Sequence, residues 1–170
     1  MKRPDCHWRH LLALLLATLL ALPAAAQIEP VIGELSYLDR QYMDRQRSEL
    51  DDLARLNLGR QFRGERDNDL ELLQLLLDRG LVRDDQTELL QGMGFVLGDL
   101  LAQELGMHWV VYEDKLGRSR ALRLRDSDNF LYPVTMISRR REAGSDTSVQ
   151  AFYRGAVEII APLREPLPFQ

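Results

Sequence analysis

The chain has 170 residues, with 22 Lys and Arg against 26 Asp and Glu, and a net charge of −4 with neutral histidines. This acidic balance argues against general binding to nucleic acid or to anionic membranes, because both require an excess of positive charge. The length is typical of a single domain that can bury a core without disulfides or metals.

The N-terminus has the three-part pattern of a secretory signal peptide. Lys2 and Arg3 precede an apolar stretch of 12 residues, 11–22, which is followed by three small residues, 24–26. A helix that crosses a bilayer needs about 20 apolar residues, so a retained anchor is the weaker alternative. We expect cleavage between Ala26 and Gln27, a periplasmic location without a stable membrane anchor, and one domain over residues 27–170.

Removal of this leader changes which chemistry the chain can offer. The leader holds three of the 22 basic and one of the 26 acidic residues, so 19 against 25 remain, a net charge of −6. It also holds Cys6, His7 and His10, which leaves His108 as the single histidine and no cysteine. A catalytic zinc takes three protein ligands that are rich in His or Cys. We therefore expect no metal site, and no pattern in the sequence indicates a cofactor.

Three helices are predicted before residue 106. The first covers residues 34–57, and its entirely polar middle, residues 44–49, indicates a surface position. Its apolar residues recur at intervals of three and four and are Leu35, Leu38, Tyr42, Leu50, Leu53 and Leu56. The second helix runs from about 69 to 78 and stops at Gly80. The third begins near Asp85, which has capping-box spacing to Glu88, and ends at Gly106.

The third helix carries apolar residues on both sides, a pattern typical of a central, buried helix. Gly94 and Gly98 lie four residues apart within it. Because glycine has no side chain to hold a neighbour away, we predict that another backbone packs closely there, at a cost of about 1 kcal/mol each in helix propensity. The alternative is that these glycines contact a ligand.

Three strands and a closing helix are predicted after Gly106. The strands cover residues 107–113, 119–125 and 131–139, and a short turn ending near Gly117 suits a hairpin between the first two. Pro133 cannot donate to a strand ladder, so we expect the third strand at an edge. The last helix, residues 146–160, is expected to pack on the sheet. The predicted fold is α+β: a helical part over residues 34–106, then a three-stranded antiparallel meander and a closing helix over residues 107–161.

Several short motifs carry a resemblance to a known family. They are Gly94 to Asp99, then Gly106 to Asp114 with Gly117, and Tyr132 to Val134 leading to Ser138, Arg139 and Arg140. Over residues 39–160 the chain resembles a family of exported proteins from Gram-negative bacteria that is catalogued only as a domain of unknown function. The resemblance implies a location and a fold, and it implies no activity, cofactor or site residue.

A possible polar or structural site consists of Asp99, Glu104, His108 and Trp109. Two carboxylates could act as acid and base, but residues five apart on a helix point about 140° away from each other. We therefore expect a salt bridge from Glu104 to an arginine of the sheet. His108 has either a structural, hydrogen-bonding role or a part in a hydrolase, although no serine in a nucleophile motif accompanies it.

A candidate binding surface lies on the sheet, because seven arginines fall between residues 118 and 141 of an acidic chain. Guanidinium groups bind carboxylates and phosphates through paired hydrogen bonds. The residues predicted to bind are Arg123, Arg125, Tyr132, Arg139 and Arg140, with Arg118, Arg120 and Arg141 nearby. The alternative is a solvated surface on which these arginines pair with local acids such as Asp126, Asp128 and Glu142.

The leading functional hypothesis is a non-enzymatic binding or interaction module of the periplasm. Its expected partner is an acidic envelope protein or an anionic polymer, and not nucleic acid. An uncharacterised hydrolase that uses His108 and a structural factor of the cell envelope are the alternatives. An enzyme should lose activity in a folded His108→Ala or Asp99→Asn variant, whereas a binding module should lose its partner when the sheet surface is changed.

Overall fold

A computed structural model describes residues 29–164, and the predicted signal peptide lies outside this range. The α+β class is confirmed: within these residues five helices accompany a four-stranded antiparallel sheet. The elements are β1 (Val31–Gly33), α1 (Tyr37–Leu58), α2 (Arg66–Asp78), α3 (Thr87–Leu105), β2 (Met107–Asp114), β3 (Gly117–Leu124), β4 (Phe130–Leu131), α4 (Met136–Glu142) and α5 (Val149–Ile160). Short 3-10 turns precede α4 and follow α5, at Pro133–Thr135 and Ala161–Leu163. None of the described helices is both long enough and apolar enough to span a bilayer.

The sheet has the order β1-β2-β3-β4 and contains one strand more than predicted. The hairpin of β2 and β3 is in register from Met107 opposite Leu124 to Asp114 opposite Gly117. Gly117 has a φ of 125°, a conformation that favours glycine. The additional strand β1 has three residues and pairs with the far end of β2, with Val31 opposite Glu113. A strand this short shows no alternation that a sequence pattern could reveal.

The predicted third strand, residues 131–139, is wrong beyond Leu131. Strand β4 ends there, and Pro133 begins a 3-10 turn that leads into α4. Proline fixes φ near the helical value and lacks the N–H that the first turn of a helix leaves unpaired, so it suits this start. Arg139 and Arg140 consequently lie in the last turn of α4, where positive charge is favourable, and not on a strand.

Helix α1 buries Leu50 of the predicted stripe, but most of its buried face differs from the prediction, and Gln46 of the polar middle predicted to lie at the surface is buried. Its start is fixed by Ser36 and Asp39, which form a capping box. The buried residues are Asp39, Met43, Gln46, Leu50 and Ala54. Leu38 and Leu56 of the predicted apolar stripe are 71% and 85% exposed. The buried face contains the polar residues Asp39 and Gln46, so the pattern of apolar residues does not reveal it.

Helix α3 is the centre of the fold, as predicted, and packs against α1, α2, α4, α5 and the sheet. A Cβ atom at Gly94 would lie 2.5 Å from the Cα atom of Val134, and one at Gly98 would overlap the ring of Trp109. The predicted close approach of a backbone is therefore confirmed at Gly94, whereas Gly98 makes room for the side chain of Trp109. The predicted capping box at Asp85 is wrong, because α3 begins at Thr87 without a side-chain cap.

The closing helix α5 begins at Val149, and Ser148 caps it by accepting a hydrogen bond from the Ala151 backbone N–H. Its buried residues are Val149, Phe152, Tyr153, Ala156 and Ile160. This stripe packs mainly against α2 and α3, whereas packing on the sheet was predicted.

Candidate functional site

Asp39 connects the first turn of α1 to strand β3. Its carboxylate is 2% exposed and accepts hydrogen bonds from the backbone N–H of Ser36 at 3.0 Å and from the Ser36 hydroxyl at 2.6 Å. From β3, Nη1 of Arg118 donates to Oδ1 at 2.8 Å, and Nε of Arg120 donates to the same oxygen at 3.0 Å. One buried carboxylate therefore meets two guanidinium groups.

The protonation state of Asp39 follows from its contacts with the two arginines. The hydrogen bonds from Arg118, reinforced by those from Ser36, hold the pKa of Asp39 well below its usual range despite burial. Asp39 is therefore ionised at neutral pH, and two positive charges face one negative charge. Glu113, directly opposite Arg118 on β2, also attracts the Arg118 guanidinium, and the Arg118 side chain is 42% exposed.

A small cleft of about 170 Å³, which we call the β3-edge cleft, opens beside this cluster. Its walls are β3 and the segment that follows β4, together with one residue of α3. The lining residues are Gln91, Arg118, Ser119, Arg120, Tyr132, Val134 and Thr135. Strand β4 reaches only as far as Leu122 and Arg123, so within residues 29–164 the preceding part of β3 has no strand partner on this side.

Tyr132 gives the β3-edge cleft an aromatic wall. Its ring packs edge-on against Tyr112 at 5.7 Å between centroids, and Tyr112 in turn contacts Phe130 at 5.0 Å. Burial, with a smaller contribution from Tyr112, raises the pKa of Tyr132 to about 12. The phenol is therefore neutral at physiological pH and can donate a hydrogen bond.

The predicted arginine surface divides between two faces of the sheet and α4. Alternate residues of a strand lie on the same face, so Arg118 and Arg120 share the face of Leu122 and Leu124. Arg123 lies on the other face, together with His108, which is directly opposite it on β2. Nε of Arg123 donates to the Ser127 carbonyl at 2.8 Å. Tyr132 lines the β3-edge cleft together with Arg118 and Arg120. Its ring packs on Tyr112, which lies directly opposite Ser119 and so shares the face of Arg123.

The remaining predicted arginines lie after β3. Arg125 follows the strand with a φ of 50°. On α4, Arg139 is exposed, and the guanidinium of Arg140 lies 5.0 Å from the ring centroid of Phe152. Whether these residues contact a partner stays a prediction.

The possible polar site around Asp99 has an unpredicted member, Arg47 of α1. Nε and Nη2 of Arg47 donate to the two carboxylate oxygens of Asp99 at 2.7 and 2.9 Å, and Nε1 of Trp109 donates to Oδ1 at 2.9 Å. Arg47 falls in the polar middle of α1, 52 residues before Asp99, where no local pattern marks it. This group connects α1, α3 and β2.

Glu104 and His108 do not join the Asp99 group. Glu104 is exposed and accepts a hydrogen bond from the Tyr153 hydroxyl at 3.4 Å, so the expected salt bridge to an arginine of the sheet is absent from the described part of the chain. His108 is exposed opposite Arg123. Within residues 29–164 no hydrogen bond or ion pair links it to a serine, aspartate or glutamate, and no group of three metal-ligating side chains occurs.

A second and larger cleft, the helical cleft, has a volume of about 360 Å³ and lies between α1, α3 and the connection from α1 to α2. Polar and apolar side chains both line it. The lining residues are Arg47, Ser48, Asp51, Phe62, Gly64, Asp69, Val96, Asp99, Leu100 and Gln103.

Comparison with known proteins finds a matching family model and a similar solved structure. A family model described as a domain of unknown function, DUF3806, matches residues 69–153. The chain is also similar to a crystal structure from Bacteroides thetaiotaomicron VPI-5482, with a TM-score of 0.70 and 16% sequence identity. That alignment covers 78% of this chain and 49% of the other, so this chain spans about half the length of that protein. The likeness concerns the fold alone. No curated protein matches the chain.

Proposed function

The chain belongs to the DUF3806 family, and from that premise we propose that it is an exported, non-enzymatic binding module of the periplasm. Its binding site is the β3-edge cleft, and its partner is an acidic segment of another protein. The observation that carries this proposal is the unequal charge at Asp39, where two arginines share one carboxylate.

The arginines keep donors for a second anionic group. A guanidinium has five N–H donors, and Arg118 uses two of them on Asp39, which leaves three. The side chain is 42% exposed and lines the β3-edge cleft, so these donors can meet a carboxylate from outside. Guanidinium–carboxylate pairs are favoured because two parallel hydrogen bonds form at once.

The walls of the cleft favour a polypeptide over an anionic polymer. Within residues 29–164 the part of β3 before Leu122 has no strand partner on this side, and the backbone of such a strand can pair with an extended peptide. Tyr132, which is 37% exposed, adds an aromatic contact of the kind that is enriched at protein interfaces. A polysaccharide or polyphosphate would use the charge but could not pair with the strand as a peptide does.

Export rests on the sequence pattern of residues 1–26 and has its own test. The mature protein should begin at Gln27, because the small residues Ala24 to Ala26 follow a short apolar core. Mass spectrometry of the protein isolated from a periplasmic fraction measures this directly. An intact N-terminus on the exported chain would contradict the proposed processing.

A synthetic peptide that alternates Glu and Val tests the proposed binding site. Fluorescence anisotropy should show binding that weakens with added salt, and the matching peptide with Gln for Glu should bind much less. Ser119→Glu places a competing carboxylate at the cleft and should weaken binding about fivefold, as expected for one partly exposed charge. Thr147→Glu, an equally polar change at an exposed position outside both clefts, should have no effect.

Three outcomes would contradict the proposed site. They are equal binding of the Glu and Gln peptides, equal effects of Ser119→Glu and Thr147→Glu, and binding of dextran sulfate without binding of the peptide. The last result would instead favour an anionic polymer as the partner.

A further inference from the structure

The geometry points to a second binding site: we propose that the helical cleft binds a primary ammonium or guanidinium group carried on a short apolar stem. This inference goes beyond the proposed function, because the helical cleft has the opposite charge and shares no lining residue with the β3-edge cleft. Its volume of about 360 Å³ is at the small end of ligand pockets, which run from about 300 to 1,000 Å³, and suits a group the size of one long side chain.

The wall of the cleft is held in place before any ligand arrives. Oδ1 of Asp51 accepts a hydrogen bond from the Phe62 backbone N–H at 2.8 Å. Asp69 accepts one from the Gly64 backbone N–H at 2.8 Å and another from that of Arg63 at 3.0 Å. These two carboxylates fix the connection between α1 and α2 against the rest of the cleft, so little ordering accompanies binding.

The charged residues that line the helical cleft favour a cationic ligand over an anionic one. Among the lining residues, the single cation Arg47 faces the three carboxylates Asp51, Asp69 and Asp99. Arg47 already donates two hydrogen bonds to Asp99 and one to Asp44, so its charge is matched by acids. An anionic ligand would meet the surplus negative charge, whereas a cation would reduce it.

Asp51 is the residue that meets the ligand cation. Its Oδ1 is used by Phe62, but the nearest cation to Oδ2 is Nε of Arg55, at 3.9 Å on an exposed side chain. The Asp51 side chain is 30% exposed, so Oδ2 can accept from an ammonium group. The apolar side chains of Phe62, Val96 and Leu100 line the same cleft and cover the stem.

Binding is measured by calorimetry and by the NMR signal of the Trp109 indole N–H, which donates to Asp99 at the cleft. The signal is assigned with a Trp109→Phe variant. The probes are 1,5-diaminopentane, N-acetyl-lysine methylamide and the neutral stem pentan-1-ol. Both amines, or one of them, should bind and shift the signal, and pentan-1-ol should not. Preference for the lysine amide indicates a partner's side chain, and preference for the diamine indicates a free polyamine.

Two neighbouring substitutions separate local contact from general charge. Asp51→Asn keeps an oxygen that can accept from Phe62 but removes the charge, and it should weaken amine binding about fivefold. Asp52→Asn removes the same charge from the next residue, whose 55% exposed side chain pairs with Arg55 outside the cleft, and should weaken amine binding much less. Gln103→Lys places a cation inside the cleft and should abolish binding.

The proposal is overturned if neither amine binds at millimolar concentration, or if pentan-1-ol binds as well as the amines. It is also overturned if Asp51→Asn and Asp52→Asn have equal effects. None of these results depends on Ser119 or on the acidic peptide, so failure here is distinguishable from failure of the proposed function.

Discussion

The close approach of α3 to the segment after β4 makes Gly94→Ala a severe substitution. An added Cβ atom would lie 2.5 Å from the Cα atom of Val134, 2.6 Å from the Pro133 carbonyl oxygen and 2.7 Å from that of Val134. All three are backbone atoms, so no side-chain rotation relieves the overlap. Either α3 or the turn at Pro133 must move.

The magnitude follows from two opposing effects. Alanine is better than glycine inside a helix by about 1 kcal/mol. Inserting a methyl group into a well-packed core costs about 3 kcal/mol when backbone must shift. The expected net loss in the free energy of unfolding is therefore about 2 kcal/mol.

Urea denaturation followed by circular dichroism measures this loss, and Gly155→Ala is its matched control. Gly155 lies inside α5, and an added Cβ atom there meets nothing within 4 Å. This variant should gain about 1 kcal/mol from helix propensity alone. The packing argument fails if Gly94→Ala is as stable as the unmodified chain, or if the two variants change stability in the same direction.

Three further substitutions test the buried polar and packing contacts. Gly98→Ala overlaps the ring of Trp109 and not backbone, so it should cost less than Gly94→Ala and should alter Trp109 fluorescence. Asp39→Asn should lose about 2 kcal/mol in urea at neutral pH, because it leaves two arginines without their carboxylate. The pKa of Asp39 is lowered by folding, so its stabilisation is complete above about pH 4 and is lost as the pH falls towards the folded-state pKa. The asparagine variant should therefore lose less stability over that acid range, and an unchanged pH dependence would contradict the assignment. Gln46→Met should raise the free energy of unfolding by about 1 kcal/mol, because both side-chain amide atoms of Gln46 are buried without a hydrogen-bond partner in the described residues. A loss of stability in thermal unfolding would show instead that the amide has a hydrogen-bond partner.

The central part of the fold could be predicted because its signals are local. Apolar residues on both sides of α3, the two glycines within it and Gly106 after it indicate a buried helix with a defined end. The hairpin of β2 and β3 likewise follows from two apolar runs around a short turn with Gly117. These features depend on neighbours within a few residues of each other.

The rest of the fold depends on contacts between residues that lie far apart in the sequence. Residues 131–139 are apolar enough for a strand, but Pro133 and Val134 pack on Gly94 and form a turn that leads into a helix. The buried face of α1 includes Asp39 because two arginines of β3 neutralise it. The sequence shows an arginine-rich region beside Tyr132, but it does not show that Asp39 is the carboxylate that Arg118 and Arg120 contact.

The bond between Asp39 and Arg118 spans 79 positions of the chain, and this separation has a consequence for folding. Strand β1 is equally remote from its partner, since Val31 pairs with Glu113. Closing a loop of this length costs conformational entropy before any favourable contact has formed. Contacts between distant positions therefore tend to slow folding. A chain that emerges N-terminus first would hold α1 without its charge partners until the hairpin of β2 and β3 is complete. The N-terminal segment, although made first, would then become fixed only after the hairpin has formed.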